Sequence, residues 1–335
     1  MQQSILKVKD LSVRFRLAEG VVRAVDKVSF ELARGETLGL VGESGCGKSV
    51  TALSILGLVP SPPGRIEAGC IQFEDQDLLD MDAEGMRQIR GRYISMIFQE
   101  PMTSLNPVLS IGRQVAEPLV THKGLSRSEA LAEAAAWLDQ VKIPAARQRL
   151  GDYPHQLSGG MRQRVMIAMA MACRPKLLIA DEPTTALDVT IQAQILSLMR
   201  ELKEKLNMSL LLISHNLGVV AQMASRVIVM YAGQIVEEAG IIDIFDRPFH
   251  PYTQGLLKSM PRLGDSRHGK VPHLNEIPGS VPSLIEAVGG CKFADRCPYV
   301  FDICKQQLPE LFQIDEGQRA RCWLKHDPGR RRQRD

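Results

Sequence analysis

The chain has 335 residues, of which 44% are hydrophobic and 24% are charged, and its formal net charge is +3. This length suggests about two domains by the rule of roughly 150 residues each, and the average composition excludes a long disordered chain. The small net charge gives no strong case for nucleic-acid binding. No apolar run reaches the roughly 18 residues of a membrane span, and the N-terminus lacks the apolar region of a secretory signal. We therefore expect a soluble, intracellular protein.

The first elements along the chain have the patterns of strands. The segment "AVDKVSFEL" (24–32) alternates apolar and polar residues, and "ETLGLV" (36–41) is a short apolar run. The stretch "GESGCGKS" follows, and the apolar spacing of "TALSILGLV" (51–59) predicts a helix. The predicted order is therefore strand, glycine-rich loop and helix.

The stretch "GESGCGKS" matches the phosphate-binding pattern G-x-x-x-x-G-K-[ST], with an accidental glycine-rich turn as the alternative. Its glycines allow backbone N–H groups to point at phosphate oxygens, beside the positive end of the following helix. We expect Lys48 to reach the terminal phosphates and Ser49 to bind Mg²⁺. The predicted nucleotide-binding residues of this segment are Gly42, Glu43, Ser44, Gly45, Cys46, Gly47, Lys48, Ser49 and Val50.

Cys46 lies inside this loop, between Gly45 and Gly47. A thiol beside Lys48 and a helix N-terminus should ionise more readily than an isolated thiol, so its alkylation should inhibit the protein. The alternative is a small residue whose side chain is turned away from the nucleotide.

Acidic and polar residues follow three later strand-like runs. The run "KLLIADEP" (176–183) predicts a buried strand that ends in Asp181, in the Mg²⁺ shell, and Glu182, facing the attacking water. Gln99 follows "MIF", and His215 follows "LLLIS". For each residue taken alone, the alternative is an ordinary polar residue at a strand end that is hydrogen-bonded or exposed to solvent. In a chain that also contains a phosphate-binding loop, the four residues together favour a nucleotide site.

A second phosphate site is predicted in "QLSGGMRQRV" (156–165). Ser158, Gly159 and Gly160 come just before the apolar-periodic "VMIAMAMAC", which predicts a helix. The exposed N–H groups at the start of that helix are suited to an anion.

These segments and their order resemble the ATP-binding cassette (ABC) ATPases. The matching segments are "GESGCGKS", "FQEP", "LSGGMRQR", "LLIADEP", "TALD" and "ISHN", within about residues 5–250. The resemblance implies an α/β P-loop fold with a parallel-sheet core, an N-terminal antiparallel subdomain and a helical subdomain at about 105–155. It also implies a head-to-tail dimer of cassettes, in which the signature residues 158–160 of one cassette contact ATP on the other.

The resemblance also implies how the residues act. ATP is the implied nucleotide and Mg²⁺ the implied metal, with Ser49, Gln99 and Asp181 in the metal shell. Glu182 is implied as the general base or water-orienting group, and His215 as a contact of the γ-phosphate.

Two further residues are assigned by the resemblance. Asp188 in "TALD" would lie at the seam of the dimer, and Phe15 would stack on adenine. For Phe15, a core aromatic without contact to the nucleotide is the alternative.

Two function classes fit a cassette of this kind: the energy-supplying subunit of a transporter, and a soluble cassette protein that acts on nucleic acid. A single phosphate loop and the lack of a long heptad run favour transport. The segments "HPYTQGLLKSMP" (250–261) and "PTTALDVTIQAQIL" resemble ATPases of the dipeptide, oligopeptide and nickel importer subfamily, specifically the D-type subunit. The implied function is ATP-driven uptake of di- or oligopeptides, with nickel or another small solute as the alternative cargo.

The resemblance implies partners and a location as well. The partners are a second ABC ATPase subunit, for which a paralogue is favoured over a second copy, two membrane-spanning permeases and an external solute-binding protein. Nucleic acid is not among them. The implied location is the cytoplasmic face of the cell membrane. The chain would divide into an ABC nucleotide-binding domain (1–250) and a C-terminal extension (251–335).

Four of the seven cysteines cluster in that extension, at Cys291, Cys297, Cys304 and Cys322. A disulfide framework is disfavoured in a reducing compartment, and the spacing C-x5-C-x6-C-x17-C differs from the C-x2-C pairs of common zinc sites. Four thiolates are a usual ligand set for an iron–sulfur cluster. Peptide-importer ATPases with a similar segment hold a [4Fe–4S] cluster, so the resemblance implies these four ligands. Zinc or empty thiols remain the alternatives.

Overall fold

The computed structural model describes residues 3–100, 104–185, 187–260, 277–282, 284–285 and 289–329, so the predicted extension lies partly outside the described residues. The strands are β1 (Ser4–Leu17), β2 (Gly20–Ala33), β3 (Thr37–Val41), β4 (Gly64–Phe73), β5 (Gln76–Asp77), β6 (Ile94–Ile97), β7 (Leu177–Asp181), β8 (Ser209–Ser214), β9 (Arg226–Tyr231), β10 (Gln234–Gly240), β11 (Phe312–Asp315) and β12 (Gln318–Ala320). The helices are α1 (Lys48–Ile55), α2 (Ala83–Ile89), α3 (Ile111–Lys123), α4 (Arg127–Gln140), α5 (Ala146–Arg149), α6 (Gly159–Met171), α7 (Val189–Leu206), α8 (Leu217–Ala221), α9 (Ile241–Asp246), α10 (Pro251–Lys258) and α11 (Asp302–Gln306).

The described strands form two sheets. The smaller sheet is antiparallel, in the order β2-β1-β4-β5. The larger sheet has the order β11-β12-β10-β9-β3-β8-β7-β6, and the strands from β9 to β6 pair in parallel. The predicted fold class, a parallel-sheet core beside an N-terminal antiparallel sheet, is therefore confirmed.

The central strands β3, β7 and β8 are buried along their whole length. Their near-continuous apolar sequences are typical of parallel strands that are covered on both faces. On one face, helices including α3, α4, α6 and α7 enclose the larger apolar cluster, and on the other the antiparallel sheet and α1 enclose a second cluster. The core of the protein therefore lies on both faces of the strands that carry the phosphate-binding loop.

The strands predicted at 24–32 and 36–41 are confirmed as parts of β2 and β3, whereas the helix predicted at 51–59 is too long. Helix α1 ends at Ile55. Gly57 follows with a φ of +59°, a left-handed conformation that is common just after the last helical residue. The apolar residues after Gly57 continue the helical spacing in the sequence, but they are not part of the helix.

Helices α3, α4 and α5 lie within the range predicted for a helical subdomain, and each contributes buried residues to the larger apolar cluster. Ser126 starts α4 with a capping box, because its hydroxyl accepts from the Glu129 N–H and the Glu129 carboxylate accepts from the Ser126 N–H. Trp137 on α4 is buried in the larger apolar cluster. The boundaries at 105 and 155 remain a prediction.

The described part of the C-terminal extension continues the core sheet. Strand β12 pairs with β10, with Ala320 opposite Glu237, and β11 pairs with β12. The Gln318 side chain donates a hydrogen bond of 2.9 Å to the buried Glu237 carboxylate. The extension and the cassette therefore share one sheet, while the division at residue 250 remains a prediction.

Replacement of Gly39 in β3 tests the close packing beneath the phosphate-binding loop. A Cβ atom at Gly39 would overlap the Val220 side chain on α8, so we expect Gly39→Ala to lower the free energy of unfolding by about 1–3 kcal/mol. Gly151→Ala is the matched control, because its Cβ would meet nothing within 4 Å. Thermal unfolding of both variants checks this expectation, and equal midpoints would contradict it.

Candidate active site

The phosphate-binding loop connects β3 to α1, and its glycines are required by close contacts. A Cβ at Gly47, where φ is +104°, would overlap the carbonyl oxygen of Ala24. A Cβ at Gly42 would overlap the carbonyl oxygen of Met230. Ser44 and Gly45 are exposed at the tip of the loop. The loop is therefore pressed against the core at both ends and open at its tip, where a phosphate group can approach.

The Lys48 side chain is buried beneath this loop. Its Nζ atom donates to the carbonyl oxygens of Gly42, at 2.8 Å, and Glu43, at 3.0 Å. Ser49 and Val50 follow in the first turn of α1 and are partly buried. The loop thus holds a cation and a hydroxyl group at a helix N-terminus, which is a suitable arrangement for a nucleotide phosphate.

Asp181 is the last residue of β7, and its carboxylate is 4% exposed. Burial raises the pKa of this carboxyl above its usual range, although a hydrogen bond with Ser49 opposes the shift. Its Oδ1 atom has no hydrogen-bond partner among the described residues. A buried carboxylate oxygen without a partner beside a hydroxyl group suits Mg²⁺, which prefers oxygen ligands. The residues present therefore fit the implied metal.

The Glu182 carboxylate contacts side chains that follow three different strands, β6, β7 and β8. Its Oε2 atom accepts from Gln99 Nε2, at 3.1 Å, and from the Thr185 hydroxyl, at 2.9 Å. Its Oε1 atom lies 3.0 Å from His215 Nδ1. Burial favours a raised pKa, but the hydrogen bonds from His215 and Thr185 outweigh it and hold the pKa of Glu182 below its usual value. The Glu182 carboxylate is therefore ionised and oriented, as a water-activating group must be.

The side chains of Glu182 and His215 differ strongly in their exposure to solvent. The Glu182 side chain is 12% exposed, whereas the His215 side chain is 59% exposed. The backbone of Glu182 has a φ of +47°, a left-handed conformation that is uncommon for a residue other than glycine. Its N–H donates to the Ile213 carbonyl of the neighbouring strand, at 2.9 Å, which anchors this conformation. Gln99, which was predicted as a metal ligand, contacts the Glu182 carboxylate in this structure.

The predicted signature residues begin helix α6. Ser158 caps this helix by accepting from the Met161 N–H, and Gly159 and Gly160 form its first turn. A Cβ at Gly160 would lie 2.9 Å from the Ile191 side chain, and Asp188 caps α7 by accepting from the Ile191 N–H. The structure therefore brings the signature and the predicted seam residue together, while their contacts across a dimer remain a prediction.

Phe15 lies in β1, in register with Val22 of β2 and Gly64 of β4. A Cβ at Gly64 would lie 2.7 Å from the Phe15 ring, which packs against the second apolar cluster and is partly buried. Its role in adenine binding remains a prediction.

The prediction that Cys46 ionises readily is wrong. Its side chain is 1% exposed, and burial raises the pKa of the thiol in spite of the Lys48 charge nearby. The sulfur atom faces the buried side of the loop, where it would lie 2.7 Å from a Cβ at Gly42. The desolvation of a thiolate here outweighs its attraction to the cation.

The four C-terminal cysteines line one small cavity of about 10 Å³, together with His250. Burial raises the pKa of Cys291 to about 11, and it also raises the pKa of Cys322. The cavity has room for about one water molecule. No group of three or more His, Cys, Asp or Glu side chains among the described residues is placed to hold a metal ion. The type and number of donor atoms thus suit a cluster, but the four side chains would have to rearrange to hold one.

Three residues that contact the site were not predicted from the sequence. Thr185 binds Glu182 from three positions further along the chain, a local spacing that could have indicated it. The Tyr252 hydroxyl accepts from the Glu43 N–H, and the Arg296 guanidinium pairs with the Glu43 carboxylate. These two residues reach the loop only through the tertiary fold, so no sequence spacing reveals them.

Comparisons with known proteins agree with this geometry. The model of the "ABC transporter" family matches residues 25–185, and that of the "Oligopeptide/dipeptide transporter, C-terminal region" matches residues 236–304. The probable peptide ABC transporter ATP-binding protein y4tR of Sinorhizobium fredii is 52% identical over 323 residues, which cover 96% of each chain. The oligopeptide transport ATP-binding protein AppD of Bacillus subtilis is 52% identical over 326 residues, which cover 97% of this chain and 98% of AppD.

A solved structure has the same cassette fold. The dimeric structure of MJ0796, a bacterial ABC transporter cassette, superposes with a TM-score of 0.63 at 28% identity, over 70% of this chain and 98% of MJ0796. With half of its residues shared with relatives along almost its whole length, this chain belongs to the ABC transporter family and carries the C-terminal region of oligopeptide and dipeptide transporters.

Proposed function

We propose that this chain is an ATP-hydrolysing subunit of an importer for di- or oligopeptides. The observation that carries the ATPase assignment is the meeting of Gln99, Thr185 and His215 on the ionised Glu182 carboxylate, beside the phosphate-binding loop. These groups can orient one water molecule, and Lys48 of the adjoining loop can neutralise phosphate charge; these are the main requirements of phosphoryl transfer to water.

The proposed mechanism uses the groups of this chain as follows. Lys48 leaves the carbonyl oxygens of its own loop and binds phosphate oxygens, and Ser49, Asp181 and Gln99 are the residues that would hold Mg²⁺. When bound, Mg²⁺ supplies positive charge to the phosphate oxygens. Glu182 orients the attacking water and accepts its proton, and His215 moves from Glu182 to the γ-phosphate.

The proposed dimer supplies the remaining contacts. Ser158, Gly159 and Gly160 bind the γ-phosphate held by the other cassette, because their N–H groups lie at the N-terminus of α6. Asp188 lies at the seam beside them, and Phe15 stacks on adenine. A paralogous cassette is favoured as the partner, as in the subfamily that the sequence resembles.

Peptide as cargo is supported by the match at 236–304 and by the names of the relatives, which include a dipeptide transport ATP-binding protein, DppD, of Haemophilus influenzae. We assign the nucleotide site to residues 1–250 and the importer-specific extension to 251–335. Nickel or another small solute is the second candidate cargo, and action on nucleic acid is the least supported function.

Transport requires partners that span the membrane. Among the described residues, no helix combines the length and apolarity needed to cross a bilayer. We assign this chain to the cytoplasmic face of the cell membrane, bound to two permease subunits, a second ATPase subunit and, across the membrane, a solute-binding protein. No nucleic acid is part of this assembly.

The four-cysteine cavity is the proposed site of a [4Fe–4S] cluster, with Cys291, Cys297, Cys304 and Cys322 as ligands. Support comes from the number and type of donor atoms and from their meeting in one cavity. Metal binding would remove the thiol protons, which burial otherwise retains on Cys291 and Cys322. The proposed role is structural or redox-sensing, because hydrolysis of ATP requires no electrons.

Glu182→Gln tests the ATPase assignment. The amide keeps the size of the side chain but cannot accept a proton, so we expect ATP binding to persist and hydrolysis to fall by about 10²-fold or more. Steady-state hydrolysis by the complex with the second ATPase subunit, and nucleotide binding by the purified chain, measure the two effects. The control is Glu201→Gln, which removes an exposed ion pair with Lys142 and none of the contacts of Glu182. Hydrolysis near that of wild type in Glu182→Gln would exclude the proposed role.

Uptake by the reconstituted importer tests the cargo. With both permeases, the second ATPase and the peptide-loaded binding protein, vesicles should accumulate labelled peptides only with ATP, and Glu182→Gln should abolish this uptake. Accumulation of nickel but not of peptides would assign the importer to the alternative cargo.

Anaerobic purification tests the cluster. The protein should be brown, its visible absorbance should fade in air, and Cys297→Ser should remove the colour while nucleotide binding persists. Cys173→Ser, which changes a thiol outside the cavity, is the control and should retain the colour. A colourless preparation that contains zinc, or no metal, would show the assignment to be wrong.

A further inference from the structure

The cysteine segment (291–297) packs directly against the phosphate-binding loop. Arg296 Nη1 lies 2.8 Å from Glu43 Oε2, and Arg296 Nη2 lies 3.1 Å from Glu43 Oε1. The Arg296 side chain is only 6% exposed. The Glu43 side chain is 26% exposed, and a bidentate arginine–carboxylate pair of this kind has a fixed geometry as well as a favourable energy. The second residue of the loop is therefore held by the C-terminal extension.

The remaining donors of Arg296 fix its orientation. Its Nε donates to the Pro278 carbonyl at 3.0 Å, and Nη2 also donates to the Ile277 carbonyl at 3.1 Å. Nη1 also donates to the Tyr231 hydroxyl at 3.3 Å. All five N–H groups of the guanidinium thus have an acceptor, a set of contacts that a lysine could not reproduce. The carboxylate of Glu43 raises the pKa of Arg296, so the guanidinium stays charged.

Glu43 transmits this contact to Lys48. The Glu43 N–H donates to the buried Tyr252 hydroxyl at 2.9 Å, so both its backbone and its side chain are bound by residues that follow the cassette core. The Glu43 carbonyl accepts from Lys48 Nζ at 3.0 Å and from the Cys46 N–H at 3.3 Å. A shift of Glu43 would therefore move an acceptor of the lysine that is proposed to bind phosphate.

A second attachment joins the same segment to the end of the loop. Lys292 Nζ donates to the Ala232 carbonyl and to the Asp26 carboxylate, each at 2.9 Å. The neighbouring Gly233 N–H donates to the Cys46 carbonyl at 3.0 Å. The loop is therefore supported at two points, directly by Arg296 and through a turn by Lys292.

We propose that Arg296 is a positioning residue for ATP hydrolysis: by holding Glu43, it keeps the phosphate-binding loop in the conformation that binds nucleotide. This inference rests on the proposed ATPase function. Arg296 acts through Glu43 and does not itself contact the substrate. The extension is then part of the support of the nucleotide site, in addition to any role in assembly.

ATPase kinetics of the reconstituted importer, with the second ATPase subunit present, test this inference with Arg296→Ala, Glu43→Gln and the double variant. Each single variant should raise the KM for ATP about tenfold, the factor that corresponds to about 1.4 kcal/mol, with a smaller change in kcat. The double variant should be no worse than the more affected single variant, because both changes break one interaction. Arg296→Lys, which retains the charge but not the fork, should restore the KM only in part.

Arg319→Ala is the matched control. Arg319 lies in the same extension and pairs with Glu238 of β10, so its loss removes an ion pair without touching the loop. It should leave the KM unchanged. If Arg296→Ala and Glu43→Gln also leave the KM unchanged, or if their effects on it add, Arg296 only attaches the extension and the proposal fails. A wild-type chain without Glu182-dependent hydrolysis would instead refute the proposed function.

A general loss of folding would appear differently from lost positioning. Thermal unfolding and binding of a fluorescent ATP analogue are measured on the same preparations. The proposal requires weaker binding of the analogue by Arg296→Ala at temperatures where that variant is fully folded. Wild-type affinity in the folded variant would overturn it.

Discussion

The parallel pairing of β3, β8, β7 and β6 is the constraint on which the candidate active site depends. The phosphate-binding loop follows β3, His215 follows β8, Asp181 ends β7 with Glu182 next to it, and Gln99 follows β6. Parallel strands end at the same edge of a sheet, so groups far apart in the chain become neighbours. Register pairs such as Asp181 with Ile213 set their relative heights. A slip by one residue would turn each side chain to the opposite face, so the buried apolar strands preserve the geometry of the polar edge.

The two adjacent acids show how local contacts give similar groups different chemistry. Burial raises the pKa of Asp181, and one of its oxygens lacks a hydrogen-bond partner among the described residues. Glu182 next to it receives hydrogen bonds from His215 and Thr185, which hold its pKa below the usual value. Asp181 is therefore suited to a cation that would offset the cost of burying its charge, and Glu182 to a water molecule. This separation of neighbouring carboxyl groups is typical of sites that handle protons.

Local patterns in the sequence predicted much of this site, because each motif is short and follows a strand whose apolar character is plain. Such patterns predicted the buried strands β3, β7 and β8 and the positions of Lys48, Glu182 and His215. Patterns did not predict effects that depend on tertiary packing. The apolar run after α1 indicates a longer helix, but the backbone turns at Gly57. Burial of Cys46 reverses the shift expected from its charged neighbour. Arg296 contacts Glu43 across a sequence separation of 253 residues.

The pairing of β12 with β10 has a consequence for synthesis of the chain. Gln318 and its partner Glu237 are 81 positions apart, so the β10 edge of the core sheet is complete only after this later segment has left the ribosome. Until then, β10 presents unpaired backbone groups, which can pair with other exposed strands. Contacts of long sequence separation also form slowly, since the intervening chain must be ordered first. The nascent cassette therefore passes through a stage in which one edge of its central sheet is open, and chaperones that bind extended segments would act at that stage.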